Sequence, residues 1–231
     1  MSELILHHYQ SSPFAEKMRA IFGYKRLSWR SVDIPFALPK PELVALTGGY
    51  RKTPVLQLGC DIYCDTWLIA RVVEQLAPER PLFNTSWGAT STAAARWYDR
   101  ELFMAAISQL FDRSVAAFSA EALGGAAAAA AFAEDRARMM GNTPVRPPRS
   151  TDGRVVVEQT LRQLEAQLGQ SGPFLEGSEV SWVDFCAYHP LWAMRRNRGL
   201  AARLDSYPAV LAWFERVQGF GHGDPTPLNA E

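Results

Sequence analysis

The chain has 231 residues, and its 24 Lys and Arg balance 24 Asp and Glu, so its formal net charge is zero. A chain of this length with 48% hydrophobic residues can bury one large core or two smaller ones. The charge balance argues against a nucleic acid as partner, and three cysteines are too few for a secreted disulfide scaffold.

Residues 1–80 alternate between strand and helix patterns. The predicted order is strand, helix, strand, short helix, hairpin and helix, on Leu4–Leu6, Ser12–Phe22, Leu27–Ile34, Glu42–Leu46, Pro54–Tyr63 and Asp65–Leu76. The apolar run at the start is too short for a signal peptide or a membrane span, so we expect a cytoplasmic protein with no membrane partner.

Beyond a predicted linker at Pro78–Ser86 the patterns are helical. Helices are predicted on Ala93–Phe111, Ser119–Met140 with a break at Gly124–Gly125, Val155–Leu168, Ser181–Met194 and Tyr207–Phe220. Pro144–Gly153 has the composition of an irregular basic loop, and the tail Gly221–Glu231 holds little that could pack. The chain is therefore predicted to contain an α/β domain in residues 1–80 and an all-α domain in residues 88–231.

The first strand leads into a turn, after which a helix begins with Ser12-Pro13-Phe14-Ala15. This segment resembles the strand-to-helix turn of thioredoxin-fold proteins, where glutaredoxins carry Cys-Pro-Tyr-Cys. Both cysteines are absent here, which argues against a dithiol oxidoreductase. The segment is similar instead to that of the serine-type glutathione transferases, in which a hydroxyl at this turn stabilises the thiolate of glutathione.

The resemblance implies that Ser12 is the catalytic residue. A hydroxyl that donates to sulfur at a helix N-terminus adds a hydrogen bond and the positive end of the helix dipole, and both lower a thiol pKa from about 8.5. Ser12 as a simple N-cap is the structural alternative. Ser11 takes the catalytic role if the turn is one residue longer, and Tyr9 takes it if the chain follows the transferase classes that use tyrosine.

A second segment, Arg51-Lys52-Thr53-Pro54, resembles the stretch before the third strand of that fold. There a cis proline, here Pro54, exposes the backbone of the residue before it. The resemblance implies that Thr53 pairs with the cysteinyl unit of glutathione in the manner of an added strand. Lys52 either reaches the glycyl carboxylate or is a solvated surface lysine.

A third segment, Asp65-Thr66, opens an apolar helix at a site that is usually Glu-Ser in the family. The resemblance implies that the acid and the helix start bind the ammonium and carboxylate of the γ-glutamyl end of glutathione. Asp65 is one methylene shorter than Glu, and Thr66 is bulkier than Ser. An ordinary N-cap would also explain Asp65.

A fourth segment, Ser181–Asp184, begins a helix with the pattern of a capping box. It resembles the Ser/Thr-x-x-Asp box in the core helix of transferase C-terminal domains. With it the resemblance covers nearly the whole chain, which is identified as a member of the cytosolic glutathione transferase family, similar to its bacterial, serine-type, theta and zeta members. The implied fold is a thioredoxin-like α/β domain followed by an all-α domain, and the implied assembly is a homodimer.

The second substrate would occupy an apolar pocket in the helical domain. Candidate pocket residues are Phe14, Tyr98, Phe103 and Met104, although core packing also explains aromatic residues at helical spacing. Cys60 and Cys64 have no further histidine or cysteine pair beside them, so no metal is predicted.

Together these features predict a glutathione transferase in which the thiolate of the co-substrate glutathione attacks a small apolar electrophile. The alternative is a non-catalytic ligand-binding or regulatory protein of the same fold. The Asp-Thr pair at positions 65 and 66 points towards that alternative, and the hydroxyl at Ser12 points away from it.

Overall fold

A computed structural model describes residues 3–84, 87–140 and 148–229 of the chain. They form two compact units, which are described separately below. The first comprises the described residues of Met1–Leu82 together with those of Gln218–Glu231, and the second is formed by Phe83–Val217. Residues 85–86 of the predicted linker lie outside the described residues.

The first unit is a mixed sheet with helices α1, α2 and α3 in the connections. In chain order its elements are β1 (Leu4–His8), α1 (Pro13–Tyr24), β2 (Ser28–Asp33), α2 (Pro41–Thr47), β3 (Val55–Leu58), β4 (Asp61–Cys64), α3 (Thr66–Leu76) and β5 (Asp224–Pro227). The strand order is β4-β3-β1-β2-β5. The β1–β2 pair is parallel, whereas the β1–β3 and β3–β4 pairs are antiparallel. The thioredoxin-like arrangement predicted for this half is confirmed.

Local sequence signals explain where the helices of this unit begin. Ser12 caps α1, and Pro13 occupies its first turn, where a backbone N–H would have no partner within the helix, so that the missing N–H of proline costs no hydrogen bond. Asp65 caps α3 in the same way. Leu6, Val55 and Phe22 are fully buried, so β1, β3 and α1 share the core of this unit.

The C-terminal segment forms a strand that the sequence patterns did not predict. β5 lies parallel to β2, with Ser28 opposite Asp224 and Ser31 opposite Pro227. Asp224 N donates to Leu27 O at 2.9 Å, and Leu228 N donates to Ser31 O at 2.9 Å. The prolines of this edge strand thus alternate with residues whose N–H groups face β2. The expectation that the tail packs little was therefore wrong, and residues 218–229 lie in the first unit rather than in the helical one.

Gly23 in α1 lies against the start of this C-terminal segment. A Cβ atom at Gly23 would lie 2.2 Å from the carbonyl oxygen of Gly221, a contact with backbone that no rotamer change can relieve. The absence of a side chain at Gly23 is therefore what lets the segment approach the helix so closely.

The second unit is helical in its described residues, apart from one isolated bridge between Phe174 and Gly177. Its helices are α4 (Ala89–Trp97), α5 (Phe103–Leu110), α6 (Ala116–Ala122), α7 (Ala126–Met140), α8 (Ser150–Ser171), α9 (Trp182–Arg195) and α10 (Pro208–Gln218). A π-helical segment, Tyr98–Leu102, joins α4 to α5, and short 3-10 segments occupy Arg113–Val115 and Ala201–Ser206. The predicted all-α character of this half is confirmed.

Two boundaries in this unit differ from the sequence patterns. The single helix expected on Ala93–Phe111 is interrupted by the π-helical segment, which the 3.6-residue period does not reveal. The basic loop expected on Pro144–Gly153 is helical from Ser150, because Gly153 allows the first turn of α8 to approach Ser108 and Ala105 of α5. The part of that loop at residues 144–147 lies outside the described residues.

The capping box predicted at the start of α9 is confirmed. Ser181 Oγ accepts from Val183 N at 3.2 Å, and Asp184 Oδ2 accepts from Ser181 N at 2.8 Å. Among the described residues, no helix combines the length and the apolarity that a bilayer crossing requires.

A Gly23→Ala substitution is expected to lower the free energy of unfolding by about 1–3 kcal/mol, because the new methyl group forces backbone movement at Gly221. Urea denaturation measures the loss. Gly169→Ala is the matched control, since Gly169 is also helical but has no neighbouring atom within 4 Å of the place that a methyl group would occupy. That control should be neutral or slightly stabilising, as alanine favours helix. Equal effects of the two substitutions would contradict the role of Gly23.

Candidate functional site

The turn between β1 and α1 carries two adjacent hydroxyls. Ser12 N donates to Tyr9 O at 3.1 Å and closes the turn. Ser12 Oγ accepts from Ala15 N at 3.2 Å, and the residue is only 2% exposed. Ser12 is therefore a buried N-cap whose hydroxyl proton remains able to donate to another acceptor.

Ser11 and Tyr9, the two alternatives to Ser12, are placed differently. Ser11 is half-buried, and its hydroxyl makes no hydrogen bond to any residue in the described part of the chain. The ring of Tyr9 packs against a hydrophobic cluster that contains Val32 and Val55. Ser11 is thus the more accessible of the two serine hydroxyls, while Tyr9 belongs partly to the core.

The peptide between Thr53 and Pro54 is cis, as the resemblance implied. Pro54 is buried, and Thr53 lies two residues before the start of β3. Within the described residues, the backbone N–H and C=O of Thr53 have no hydrogen-bond partner. These two groups can therefore pair with an extended ligand.

Asp65 adopts a backbone conformation that is rare for residues other than glycine. Its φ is 81° and its ψ is 130°, and it is exposed at the N-cap of α3, where Oδ1 accepts from Trp67 N at 2.8 Å. Such a conformation costs about 1–3 kcal/mol and is concentrated at functional sites. Thr66 follows as a buried residue, 7% exposed.

The negative charge of Asp65 affects the pKa values of neighbouring side chains. Burial raises the pKa of the Cys64 thiol, and the Asp65 carboxylate raises it further. Burial, together with Asp65 and Cys64, raises the pKa of Tyr50 to about 12. The surroundings of Asp65 therefore favour neutral or positively charged groups over additional anions.

The strand register brings the three segments together. His7 pairs with Val55 across β1 and β3, and Val55 pairs with Cys64 across β3 and β4. The turn that follows β1, the Thr53–Pro54 peptide before β3 and Asp65 after β4 therefore lie at the same end of the sheet. This end carries a free backbone pair, an acid at a helix start and a hydroxyl at another helix start.

Lys40 is a further residue of this region that sequence patterns did not single out. It is 2% exposed, and its Nζ lies 3.3 Å from Thr53 Oγ1, 3.5 Å from Arg51 O and 5.4 Å from the centre of the Tyr9 ring. Lys52, for which the sequence left open a contact with the glycyl carboxylate or a solvated position, is exposed. Nothing local in the sequence distinguishes these two lysines, because only the fold brings Lys40 to Thr53.

The predicted second-substrate residues do not form one cluster within the helical unit. Tyr98 lines a cavity of about 250 Å³ between α4 and α8, whose other lining residues are Ala94, Trp97, Thr160, Gln163, Leu164 and Gln167. Phe103 instead contacts His189, with ring centres 5.6 Å apart. Met104 is half-buried and does not line the cavity. Phe14 belongs to the first unit, where its ring lies 5.1 Å from Lys17 Nζ.

Tyr98 is neutral at ordinary pH. Burial, with smaller effects of the Asp184 and Glu176 carboxylates, raises its pKa to about 12. In residues 3–84, 87–140 and 148–229, no three His, Cys, Asp or Glu side chains are grouped so that they could hold a metal ion.

The sheet with its three helices and the helical second unit together define the fold of the glutathione transferases. Family models agree, since that of the glutathione S-transferase N-terminal domain matches residues 6–81 and that of the C-terminal domain matches residues 95–216. The chain belongs to the glutathione S-transferase family.

Solved structures show the same similarity. A GST-like protein from Pseudomonas syringae is 39% identical, with a TM-score of 0.80, over 100% of this chain and 72% of that one. A glutathione S-transferase from Rhodospirillum rubrum is 20% identical, with a TM-score of 0.66, over 93% of this chain and 87% of that one. A glutathione transferase from Phanerochaete chrysosporium is 16% identical, with a TM-score of 0.74, over 95% of this chain and 98% of that one. Among curated proteins, none matches the chain.

Proposed function

We propose that the protein is a glutathione transferase of the serine type, whose sheet end binds glutathione and presents its thiolate to a small apolar electrophile. The observation that carries this proposal is the strained, exposed Asp65, which lies at the same end of the sheet as the unpaired backbone of Thr53. Membership of the family and the glutathione transferases among its structural relatives support it.

Each part of glutathione has a chemically suitable partner at this end of the sheet. The backbone of the cysteinyl unit pairs with the N–H and C=O of Thr53, next to Pro54. The ammonium of the γ-glutamyl end faces the Asp65 carboxylate, and its carboxylate faces the N-terminus of α3 at Thr66. The glycyl carboxylate lies towards the positive charge of Lys40 and Lys52.

The thiol then lies beside the turn of residues 9–12 at the N-terminus of α1, which carries Ser11 and Ser12 and is called the hydroxyl turn below. Ser12, favoured by the sequence resemblance, is buried and already serves as the cap, whereas Ser11 offers an accessible hydroxyl. We assign the direct contact with sulfur to Ser11 on the basis of this exposure, and the holding of the turn to Ser12. A hydroxyl donor and the helix dipole together lower the pKa of the bound thiol.

A lone pair of the thiolate so formed makes a new bond to the electrophilic atom of the second substrate. In a substitution the electrons of the broken bond depart with the leaving group, and in an addition the electrons of the π bond move to its far atom, which takes a proton from solvent. Proximity of the two bound reactants supplies the remaining acceleration. Tyr98, Phe103, Met104 and Phe14 remain proposed contacts of this substrate. A cytoplasmic homodimer is part of the proposal, and sedimentation of the purified protein would check the dimer.

Alanine substitutions of the two serines are expected to have different effects. Ser11→Ala should retain glutathione but reduce the thiolate fraction at neutral pH about tenfold, since one charge-assisted hydrogen bond is equivalent to roughly one pKa unit. Ser12→Ala should mainly lower the free energy of unfolding by about 1 kcal/mol, because it removes the helix cap. Calorimetry measures binding, thiolate ultraviolet absorbance measures ionisation and urea denaturation measures stability.

The reverse pattern, with the thiolate lost only in Ser12→Ala, would assign the sulfur contact to Ser12. If the wild-type protein binds no glutathione, the proposed transferase function fails, and a binding or regulatory role of the same fold takes its place. If the wild-type protein binds glutathione but forms no thiolate at neutral pH, it is a glutathione-binding protein and not a transferase.

A further inference from the structure

A buried polar network lies beneath the hydroxyl turn. Arg19 and Glu16 of α1 are 2% and 3% exposed, and His8 at the end of β1 is fully buried. The Arg19 guanidinium donates to Glu16 Oε2 at 2.7 Å from Nη2 and at 3.2 Å from Nε, and its Nη1 lies 3.0 Å from His8 Nδ1. Three ionisable groups are thus joined in the interior of the first unit, where such contacts hold geometry tightly.

The same guanidinium contacts the backbone of the turn. Arg19 Nη2 donates to Gln10 O at 3.0 Å, and Nη1 lies 3.5 Å from Tyr9 O, the carbonyl that also accepts from Ser12 N. Because a trans peptide is planar, its C=O and N–H point in opposite directions. A Gln10 carbonyl that points towards Arg19 therefore directs the N–H of Ser11 away from it. Among the described residues that N–H has no hydrogen-bond partner.

The protonation of His8 suits this arrangement. Burial, with a further effect of the Arg19 charge, lowers the pKa of His8 to about 3, so its ring is neutral. Nδ1 then accepts from Arg19, and Nε2 donates to Ser31 Oγ at 2.9 Å. His8 thereby holds one edge of the Arg19 guanidinium in place, and Ser31 of β2 holds His8 in place.

Glu16 connects the network to the C-terminal segment. His222 Nε2 lies 3.2 Å from Glu16 Oε1 and 3.1 Å from Oε2. Burial would raise the pKa of Glu16, but the hydrogen bond from His222 and the Arg19 charge hold it below its usual value. The backbone of His222 is itself fixed, since its carbonyl accepts from Trp29 Nε1 at 2.7 Å shortly before β5.

We propose that Arg19 is the positioning residue of the hydroxyl turn, and that His222 of the C-terminal segment holds Arg19 in place through Glu16. The role depends on the proposed function, because the group that is positioned is the Gln10–Ser11 peptide that presents Ser11 to the glutathione thiol. The C-terminal segment thereby contributes to the reaction without contacting the substrate.

The proposal predicts a local loosening of the turn when the network is altered. Arg19→Lys keeps the charge, but an ammonium cannot make the forked contacts to Glu16, His8 and Gln10 together. We expect the amide of Ser12 to exchange about tenfold faster relative to the amide of Leu56 in β3, and the bound thiolate fraction to fall about tenfold.

His222→Ala provides a second test at a position that is 42% exposed and can be changed without opening the core. It should accelerate Ser12 exchange and lower the thiolate fraction about threefold, a size typical of coupling through a network. Asp224→Ala is the matched control, because it alters an exposed side chain of the same segment that accepts a hydrogen bond from Ser28 and lies outside the network. That control should leave both measurements unchanged.

The outcomes separate the two proposals. Arg19→Lys and His222→Ala proteins with wild-type Ser12 exchange and wild-type thiolate would overturn the positioning role. An equal effect of Asp224→Ala would overturn the specific path through His222 and Glu16. If the wild-type protein binds no glutathione, the proposed function fails, while Ser12 exchange in the variants still decides whether Arg19 positions the turn.

Discussion

Replacing Asp184 with alanine is expected to lower the free energy of unfolding of the helical unit by about 3–5 kcal/mol. This carboxyl group is fully buried at the start of α9. Oδ1 accepts from Leu175 N at 2.9 Å and from Trp213 Nε1 at 2.8 Å, and Oδ2 accepts from Ser181 N at 2.8 Å. The Ser181 hydroxyl donates to Oδ2 as well, at 3.3 Å. Alanine would leave the three N–H donors buried without this acceptor, and each such donor costs about 1–3 kcal/mol.

The control for this variant is Asp205→Ala in the same unit. Asp205 accepts from Arg195 at 2.7 Å, but this pair is largely exposed, and such pairs contribute about 0–1 kcal/mol. Urea denaturation followed by far-ultraviolet circular dichroism measures both losses. A cost for Asp184→Ala as small as that for Asp205→Ala would show that the three donors find other acceptors.

Acid is expected to destabilise the first unit before its carboxylates titrate. The pKa of His8 is lowered from 6.5 to about 3 in the folded protein, so the unfolded chain binds more protons than the folded one between these values. The contribution of this residue to stability is therefore complete above about pH 6.5 and falls by about 1.4 kcal/mol per pH unit below it. Burial also lowers the pKa of His7, which acts in the same direction.

Glu16 adds to the loss at lower pH. Its pKa is held below 4.5 in the folded protein, so the stability it contributes is present above that value and lost as the pH falls through its folded pKa. His8 should therefore account for a loss of about 2–3 kcal/mol between about pH 6.5 and 4.5.

His8→Asn isolates this contribution, since the amide oxygen can accept from Arg19 but the side chain does not titrate. We expect the variant to be less stable than wild type at neutral pH. Between pH 6.5 and 4.5 its free energy of unfolding should also depend less steeply on pH, by the slope that corresponds to about one proton. Urea denaturation at several pH values gives both slopes. Identical slopes would show that His8 takes up its proton without cost in the folded protein.

The acid sensitivity of the first unit concerns the same network through which Arg19 is proposed to position the hydroxyl turn. The hydroxyl turn is not an isolated loop, because Arg19 holds its carbonyls and His8 and Glu16 hold Arg19. A loss of this network by acid should therefore loosen the turn before the unit unfolds.

The amino-acid sequence by itself determined the elements whose signals are local. Ser12-Pro13 marks the start of α1, Asp65 marks the start of α3, and Ser181 with Asp184 forms the capping box of α9, as predicted. Each signal is a side chain that bonds to a backbone N–H two or three residues away, so it needs no knowledge of the rest of the chain.

Only the tertiary structure decided which distant residues come together around the candidate site. β5 pairs with β2 across nearly the whole length of the chain, and its two prolines argued locally against a strand. Lys40 reaches Thr53, and His222 reaches Glu16, through contacts that no local pattern encodes. The different exposures of Ser11, which is half-buried, and Ser12, which is 2% exposed, also follow from the folded turn, whose Gln10 carbonyl accepts from Arg19 on the next helix.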